Sequence, residues 1–150
     1  MKWRRALVSR CEPNAAHLML VEIGSYFDYF WLITQNVDGL HTRAGSKQVL
    51  ELHGNMRGGR CLRDGVDLPQ TPLASLPPYH SCGTALRPHV VQFGETSESA
   101  TITAAITASA HADLFIVIAT SAVVSPARDL PLIALKNGVT VIEINRDPTP

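Results

Sequence analysis

The chain has 150 residues, 45% of them hydrophobic, which suits one domain of ordinary size with a real core. Thirteen basic and thirteen acidic residues cancel, so no net charge attracts nucleic acid or an anionic membrane, and we expect neither as a partner. No window approaches the roughly 20 apolar residues of a membrane span. Three irregularly spaced cysteines argue against a disulfide framework and favour a reducing compartment, so we expect a cytoplasmic location.

The first third of the chain alternates helical and strand patterns. Apolar spacing and short apolar runs predict, in order, a helix, a strand buried on both faces, a short helix and a second strand over 13–23, 30–33, 38–44 and 49–52. Gly24 and Gly45 are expected to end the two helices, and Asp38 to cap the second.

The remainder begins with a segment of different composition, 54–87, rich in Gly, Pro, Arg and Asp, which indicates a loop or a small inserted module. After it we predict a strand, a helix, a buried strand, a helix disturbed by Pro131 and a last strand, over 90–93, 97–110, 113–119, 126–136 and 139–144. Alternating strands and helices imply βαβ units and a parallel sheet, hence an α/β fold.

Polar residues follow these strands. In open parallel sheets ligands bind beyond the carboxyl ends of strands, and the residues expected there are Thr34, Gln35, Asn36, His53, Gly54, Gly94, Glu95, Thr120, Ser121 and Asn145. Together they predict a polar pocket. The alternative is that pairs such as Asn36 and Asp38 only form turns and helix caps, which is their usual role.

Six segments, in order along the chain, resemble the sirtuins, the NAD-dependent protein lysine deacylases: "PNAAH" (13–17), "TQNVDGLHTRAGS" (34–46), "ELHGNMR" (51–57), "LRPHVVQFGE" (86–95), "ATSAVVSPA" (119–127) and "IEIN" (142–145). The resemblance covers nearly everything from Pro13 onward. It implies a Rossmann-like parallel sheet with flanking helices, incomplete, formed by 13–53 and 89–150. The segment 54–88 stands at the position of the family's zinc module.

The resemblance also implies a role for each matching residue. Gln35 would bind ribose hydroxyls of NAD, and Asn36 and Asp38 would contact its nicotinamide amide or order water beside it. Thr120 and Ser121 match a turn near the ADP-ribose phosphates and ribose, and Asn145 matches an asparagine near the adenosine ribose. The resemblance thus implies six NAD-binding residues: Gln35, Asn36, Asp38, Thr120, Ser121 and Asn145.

The implied reaction transfers the acyl group of an acyl-lysine protein or peptide to ADP-ribose and releases nicotinamide. His53 matches the catalytic histidine, which takes a proton from a ribose hydroxyl. Histidine as a residue type suits this task because the unperturbed pKa of its side chain lies near ~6.5. Val91, Phe93 and Gly94 match the strand end that lines the acyl-lysine tunnel, where a substrate peptide could add as a strand.

The chain departs from the family pattern at the zinc module. Most sirtuins hold zinc with two Cys-x-x-Cys pairs, whereas here Cys61 and Cys82 occupy the first and fourth positions and Asp64 and Tyr79 the second and third. We therefore expect no zinc, with the cysteines as small buried residues. The alternative is that Asp64 and His80 complete a tetrahedral set with Cys61 and Cys82.

Two further departures concern NAD. Ala119 replaces the glycine that usually precedes the Thr-Ser pair, and the added methyl is expected to hinder a closely approached dinucleotide. No segment matches the family's glycine-rich first strand or its final strand and helix, so we expect a sirtuin truncated at both ends. The alternatives to an active deacylase are an inactive remnant, a module that binds peptide or nucleotide without catalysis, and an ADP-ribosyltransferase of the same fold.

Overall fold

The computed structural model describes residues 2–68, 78–92, 94–95 and 98–149. The chain divides into two compact units, Met1–Thr96 and Ser97–Pro150. Among the helices of the described ranges, none combines the length and apolarity that crossing a membrane requires.

The first unit opens with two helices, α1 (Lys2–Arg10) and α2 (Ala15–Gly24). α2 begins where the apolar spacing predicted a helix. The side chain of Asn14 caps it by accepting hydrogen bonds from the backbone N–H groups of Ala16 and His17. α1 was not predicted; its Arg5 is only 4% exposed and donates to the carbonyls of Arg57 and Gly58.

Two short parallel strands follow, β1 (Leu32–Thr34) and β2 (Val49–Glu51), joined through helix α3 (Leu40–Ala44). Gly45 ends α3 with φ +111°, as the sequence predicted. The first strand starts later than predicted, and Trp31 just before it is 46% exposed. The order strand, helix, parallel strand confirms the α/β class.

The segment expected to be a loop or small module contains an antiparallel sheet. Its strands are β3 (Gly54–Cys61), β4 (Asp67–Leu68) and β5 (Leu86–Val90), in the spatial order β4-β3-β5. The strand predicted over 90–93 was placed too late, because β5 ends at Val90 and Phe93 lies outside the described residues. β3 was not predicted because its glycines give no apolar period. Glycine fits at position 58 because an added Cβ would lie 3.1 Å from the Leu68 carbonyl oxygen of the neighbouring strand.

The second unit contains α4 (Ser99–Ala110), β6 (Leu114–Ile118), a 3₁₀ turn (Ala127–Asp129), α5 (Leu130–Lys136) and β7 (Thr140–Ile144). β6 and β7 are parallel and in register from Leu114–Thr140 to Ile118–Ile144. Pro131 does not disturb a helix, contrary to our expectation. It lies in the first turn of α5, where its missing N–H has no helical partner to lose.

β6 was predicted to be a buried strand, and that prediction was wrong for three of its five residues. Leu114, Ile116 and Ile118 are 40–46% exposed, and only Val117 is buried. The reason is that β6 pairs with a single strand among the described residues, while α5 packs against both strands of this small sheet. Within the described residues of this unit, the opposite face of the sheet, called the open face below, carries the exposed side chains Leu114, Ile116 and Ile118.

Candidate active site

Three hydrogen bonds of the described residues join the end of β1 and the loop that follows it to residues after β2. The N–H of Leu52 donates to the Thr34 carbonyl at 3.0 Å, and the N–H of Met56 donates to the Val37 carbonyl at 2.7 Å. Between them lies the third bond, from the ring of His53. β1 and β2 are parallel and end at the same edge. The loops that follow them, which carry the predicted nicotinamide contacts and the predicted base, are therefore neighbours, and these hydrogen bonds clamp them together.

His53 Nδ1 lies 3.2 Å from the backbone carbonyl oxygen of Gln35. A carbonyl oxygen only accepts, so this hydrogen bond assigns the proton to Nδ1 and leaves the lone pair on Nε2. The ring is partly buried, with its orientation fixed at the end of β2. The structure therefore brings His53 to the loop that carries Gln35, Asn36 and Asp38, as the sequence predicted.

Within that loop the two nicotinamide candidates have different surroundings. Asp38 Oδ1 accepts a hydrogen bond from the N–H of Leu40 at 2.9 Å, which closes a turn just before α3 and matches the turn role of the alternative interpretation. The N-cap residue of α3 is Gly39, so the sequence placed the cap one residue too early. Asn36 has an exposed side chain, and its own N–H donates to Thr34 Oγ1 at 3.1 Å. This hydrogen bond occupies one carboxylate oxygen of Asp38 and does not exclude a ligand role for the other.

Glu51 and Asn55 lie in the matching segment 51–57, but the sequence alone indicates no role for them. Asn55 Nδ2 donates to Glu51 Oε1 at 2.6 Å, and Asn55 Oδ1 accepts from the N–H of Arg57 at 2.8 Å. Burial raises the pKa of Glu51, the hydrogen bond from Asn55 opposes that shift, and the charge of Asp38 adds to it. A Cβ on Gly39, whose φ is +70°, would lie 2.9 Å from Asn55 Nδ2, so this pair also supports the loop of Asp38.

Two of the three predicted substrate residues are described. The N–H of Val91 donates to the His53 carbonyl at 3.0 Å, which joins the end of β5 to the histidine. Gly94 has φ +86°, and a Cβ added to it would have no heavy atom within 4 Å, so its backbone conformation rather than crowding favours glycine. Phe93 lies outside the described residues.

The remaining predicted NAD contacts belong to the second unit. Asn145 Nδ2 donates to the Thr120 carbonyl at 2.7 Å, which ties the end of β7 to the turn after β6. Ser121 lies on the same turn and is exposed. Ala119, which stands where the family pattern has glycine, adopts φ +51° in the left-handed region. The turn therefore keeps a glycine-type conformation without glycine.

A second group of reactive side chains lies at the β3–β4 turn and the segment before β5. Potential metal-binding atoms of Cys61, Asp64, His80 and Cys82 all lie within 4.8 Å of one another. Hydrogen bonds from the Thr84 side chain, and from the ring of His80, lower the pKa of the Cys82 thiol to about 7. The hydrogen bond with Cys82 also raises the pKa of His80. Tyr79, in contrast, is 63% exposed.

The strands, helices and clamped loops define an α/β protein with a Rossmann-like parallel arrangement. The sequence model of the Sir2 family matches residues 1–126. Curated relatives include an NAD-dependent protein deacylase of Aquifex aeolicus, 47% identical, with 99% of this chain and 63% of the relative covered. Another, of Mycobacterium tuberculosis, is 41% identical over 99% of this chain and 65% of the relative.

Solved structures agree. A crystal structure of a Sir2 homolog–NAD complex has a TM-score of 0.88 at 42% identity, covering 99% of this chain and 59% of the other. A Sir2–p53 peptide–NAD+ complex has a TM-score of 0.84 at 36% identity, covering 95% and 62%. The chain belongs to the Sir2 family, the sirtuins. It spans less than two thirds of the length of these relatives, and the family match begins earlier than Pro13, where sequence reasoning first placed it.

Proposed function

We propose that the protein is an NAD-dependent protein lysine deacylase, which transfers the acyl group of acyl-lysine to ADP-ribose. The observation that carries the proposal is the hydrogen bond between His53 Nδ1 and the Gln35 carbonyl. It places a histidine with an assigned tautomer beside the loop that matches the family's nicotinamide-binding stretch. Relatives of 41–47% identity that bear the name NAD-dependent protein deacylase support the same activity.

The donor set suits NAD. Gln35 and Asn36 supply amides that can pair with ribose hydroxyls and a carboxamide, and Asp38 supplies a carboxylate on the same loop. In the second unit, the hydroxyls of Thr120 and Ser121 and the amide of Asn145 are of the type that binds ribose and phosphate. When bound, NAD would supply the acyl acceptor and the nicotinamide leaving group.

His53 is suited to act as a general base through Nε2. Its Nδ1–H donates to the Gln35 carbonyl, so the ring presents a lone pair at Nε2. A ribose hydroxyl must lose a proton to attack the acyl-derived carbon, and Nε2 would accept it. Such catalysis is typically worth ~10²–10⁴ in rate.

The acyl-lysine substrate is expected to bind along β5. This strand ends the order β4-β3-β5, so its outer edge has no strand partner among the residues that the structure describes. Val91 continues from it and is bonded to His53, which would bring a peptide paired with this edge close to the base. A solved complex of a relative with a p53 peptide and NAD+ supports a peptide substrate.

The test is an assay of the 150-residue chain with an acetyl-lysine peptide, with and without NAD, followed by mass spectrometry. Deacetylated peptide, nicotinamide and O-acetyl-ADP-ribose in the NAD-containing sample support the proposal. ADP-ribosylated protein without deacetylated peptide assigns the chain to transferase chemistry instead. Absence of all products contradicts the proposal and leaves a non-catalytic family member.

The cytoplasmic location expected from the sequence stays a prediction. Its support is that Cys11, Cys61 and Cys82 are all free thiols. Fractionation of the source cells with antibody detection tests it, and recovery of the protein with a secreted or periplasmic fraction would contradict it.

A further inference from the structure

Two tight turns carry the four members of the second reactive group, Cys61, Asp64, His80 and Cys82. In the first turn the N–H of Gly65 donates to the Cys61 carbonyl at 2.9 Å. In the second the N–H of Gly83 donates to the His80 carbonyl, also at 2.9 Å. Both glycines have positive φ, +69° and +82°, and each directly follows a member of the group. The two turns bring one ligand atom from each of the four side chains within 4.8 Å of one another.

The distances match the edges of a metal-centred tetrahedron. Cys61 Sγ lies 3.5 Å from Cys82 Sγ, and His80 Nδ1 lies 3.2 Å from Cys82 Sγ and 3.0 Å from Asp64 Oδ2. With metal–sulfur bonds of about 2.3 Å and metal–nitrogen or metal–oxygen bonds of about 2.0–2.1 Å, tetrahedral edges are about 3.7 Å between sulfurs and about 3.4 Å between nitrogen and oxygen. Outward shifts of a few tenths of an ångström complete the geometry.

Hydrogen bonding cannot satisfy both contacts of His80 Nδ1 at once. His80 Nδ1 faces the Asp64 carboxylate and the Cys82 sulfur at the same time, but a neutral ring has only one N–H or one lone pair at that atom. Two thiols and a carboxylate around one ring nitrogen also repel one another when ionised. A divalent cation at the centre would accept a lone pair from each of the four atoms and balance most of their charge.

We propose that Cys61, Asp64, His80 and Cys82 form a mixed-ligand site for one divalent metal ion of the zinc and cobalt type. The family's four-cysteine pattern has its third ligand where Tyr79 stands, and here the neighbouring His80 takes that role. Tyr79 instead pairs with Ala85 through its backbone and keeps its side chain exposed. The sequence-based expectation was a metal-free module, and the geometry favours the alternative set that the sequence left open.

The test uses the full chain, reduced and stripped with a chelator, titrated with Co²⁺ alone. Tetrahedral Co²⁺ with thiolate ligands gives intense visible d–d bands and a near-ultraviolet sulfur-to-cobalt charge-transfer band. We expect both to saturate at one equivalent and to disappear when Zn²⁺ is added, with native mass spectrometry giving the same stoichiometry. The absence of tetrahedral bands in the wild-type chain would overturn the proposal without any variant.

Variants assign the ligands. Asp64→Ala and His80→Ala should each weaken Co²⁺ binding more than about tenfold, and Asp64→Cys should strengthen the charge-transfer band by adding a third thiolate. Controls share the chemistry but lie outside the group: Tyr79→Phe, Cys11→Ser and His111→Ala should bind as the wild type does. Circular dichroism of each metal-free variant verifies folding.

The outcomes are decisive in both directions. Unchanged binding in Asp64→Ala or His80→Ala overturns the mixed set and leaves a site of two thiolates, and weakened binding in Tyr79→Phe restores the family's position as the ligand. Deacylation does not enter any of these measurements. A failed deacylase assay with intact Co²⁺ binding therefore contradicts only the proposed function, and the reverse result contradicts only the metal site.

Discussion

His53 Nδ1 and the backbone carbonyl oxygen of Gln35 lie 3.2 Å apart, and this one hydrogen bond sets the chemistry available to the histidine. It joins the ends of the parallel strands β1 and β2, fixes the proton on Nδ1 and directs the basic nitrogen away from the backbone. Since the partner is a main-chain atom, substitutions of the Gln35 side chain leave this bond in place.

Replacement of His53 by Ala should lower the rate of deacylation by about 10²–10⁴, because the ribose hydroxyl loses its base. Steady-state assays with an acetylated peptide and NAD measure the effect as kcat/KM. His111→Ala is the matched control, since His111 is exposed at the end of α4 and bonds only the Thr107 carbonyl among the contacts described. An unchanged rate in His53→Ala would refute the base assignment.

Gly54→Ala should destabilise the first unit by about 3 kcal/mol or more. Its φ is +76°, and an added Cβ would lie 2.3 Å from the His89 carbonyl oxygen, so strain and a backbone clash add together. Gly94→Ala is the comparison, because its φ of +86° is similar but open space surrounds the added atom; we expect a cost of about 1 kcal/mol. Urea unfolding of both variants measures the two losses in the free energy of unfolding. Equal losses would show that the contact between the added Cβ and the His89 carbonyl is relieved in Gly54→Ala.

Arg5→Ala should destabilise the fold by about 2 kcal/mol, because the carbonyls of Arg57 and Gly58 lose charged donors at 3.2 and 3.3 Å. Arg4→Ala, on the exposed side of the same helix, should have little effect. Thermal unfolding of the two variants is the measurement. If Arg4→Ala proves as costly as Arg5→Ala, α1 is held by something other than this buried guanidinium.

Ala119→Gly should stabilise the second unit by about 1 kcal/mol, because φ +51° is strained for alanine and free for glycine. Ala108→Gly, inside α4, should do the opposite and cost about 1 kcal/mol, since glycine is a poor helix former. We therefore expect the two Ala→Gly substitutions to change the free energy of unfolding, measured by chemical denaturation, in opposite directions. The same sign for both would remove the case for strain at Ala119.

Stability should fall as the pH is lowered below about 6.5, in part because of His41. Burial lowers the pKa of His41, the nearby His17 lowers it further, and Asp38 opposes both. A folded-state pKa below the unfolded value means that the unfolded chain binds the proton more readily, so the contribution is present above about 6.5 and is lost as the pH falls.

His41→Phe keeps the ring and removes this titration, so its stability should vary less with pH across that window. His111→Phe is the control and should retain the wild-type slope. Melting temperatures recorded at closely spaced pH values decide the matter, and parallel curves for His41→Phe and the wild type would exclude His41 as a source of the slope.

Much of the α/β framework could be predicted because periodicity and stop signals agree. Apolar spacing followed by Gly24 located α2, and Gly45 located the end of α3. The antiparallel sheet could not be found in this way, since Gly54, Gly58 and Gly59 in β3 carry no side chains that would reveal a period. The exposure of β6 depends on what covers a sheet face, which local sequence does not encode.

The residues of the candidate site could be predicted from the sequence, but their hydrogen bonds could not. Polar residues at strand ends were enough to associate His53 with Gln35 and Asp38, since parallel strands deliver their ends to one edge. The hydrogen bond from the Leu40 N–H to Asp38, and the one from Asn55 to Glu51, depend on close contacts that spacing does not specify. The sequence favoured a metal-free module, because His80 lies one residue from the family's third ligand position.

The open face of the small second sheet affects how the protein must be handled at the bench. It presents a row of half-exposed aliphatic side chains, Leu114, Ile116, Ile118, Ile142 and Ile144. Sulfate and phosphate strengthen the association of such surfaces, because these salts are excluded from protein surfaces. Ammonium sulfate precipitation would therefore favour aggregation of the chains through this face, whereas buffers of low chloride concentration should keep them in solution.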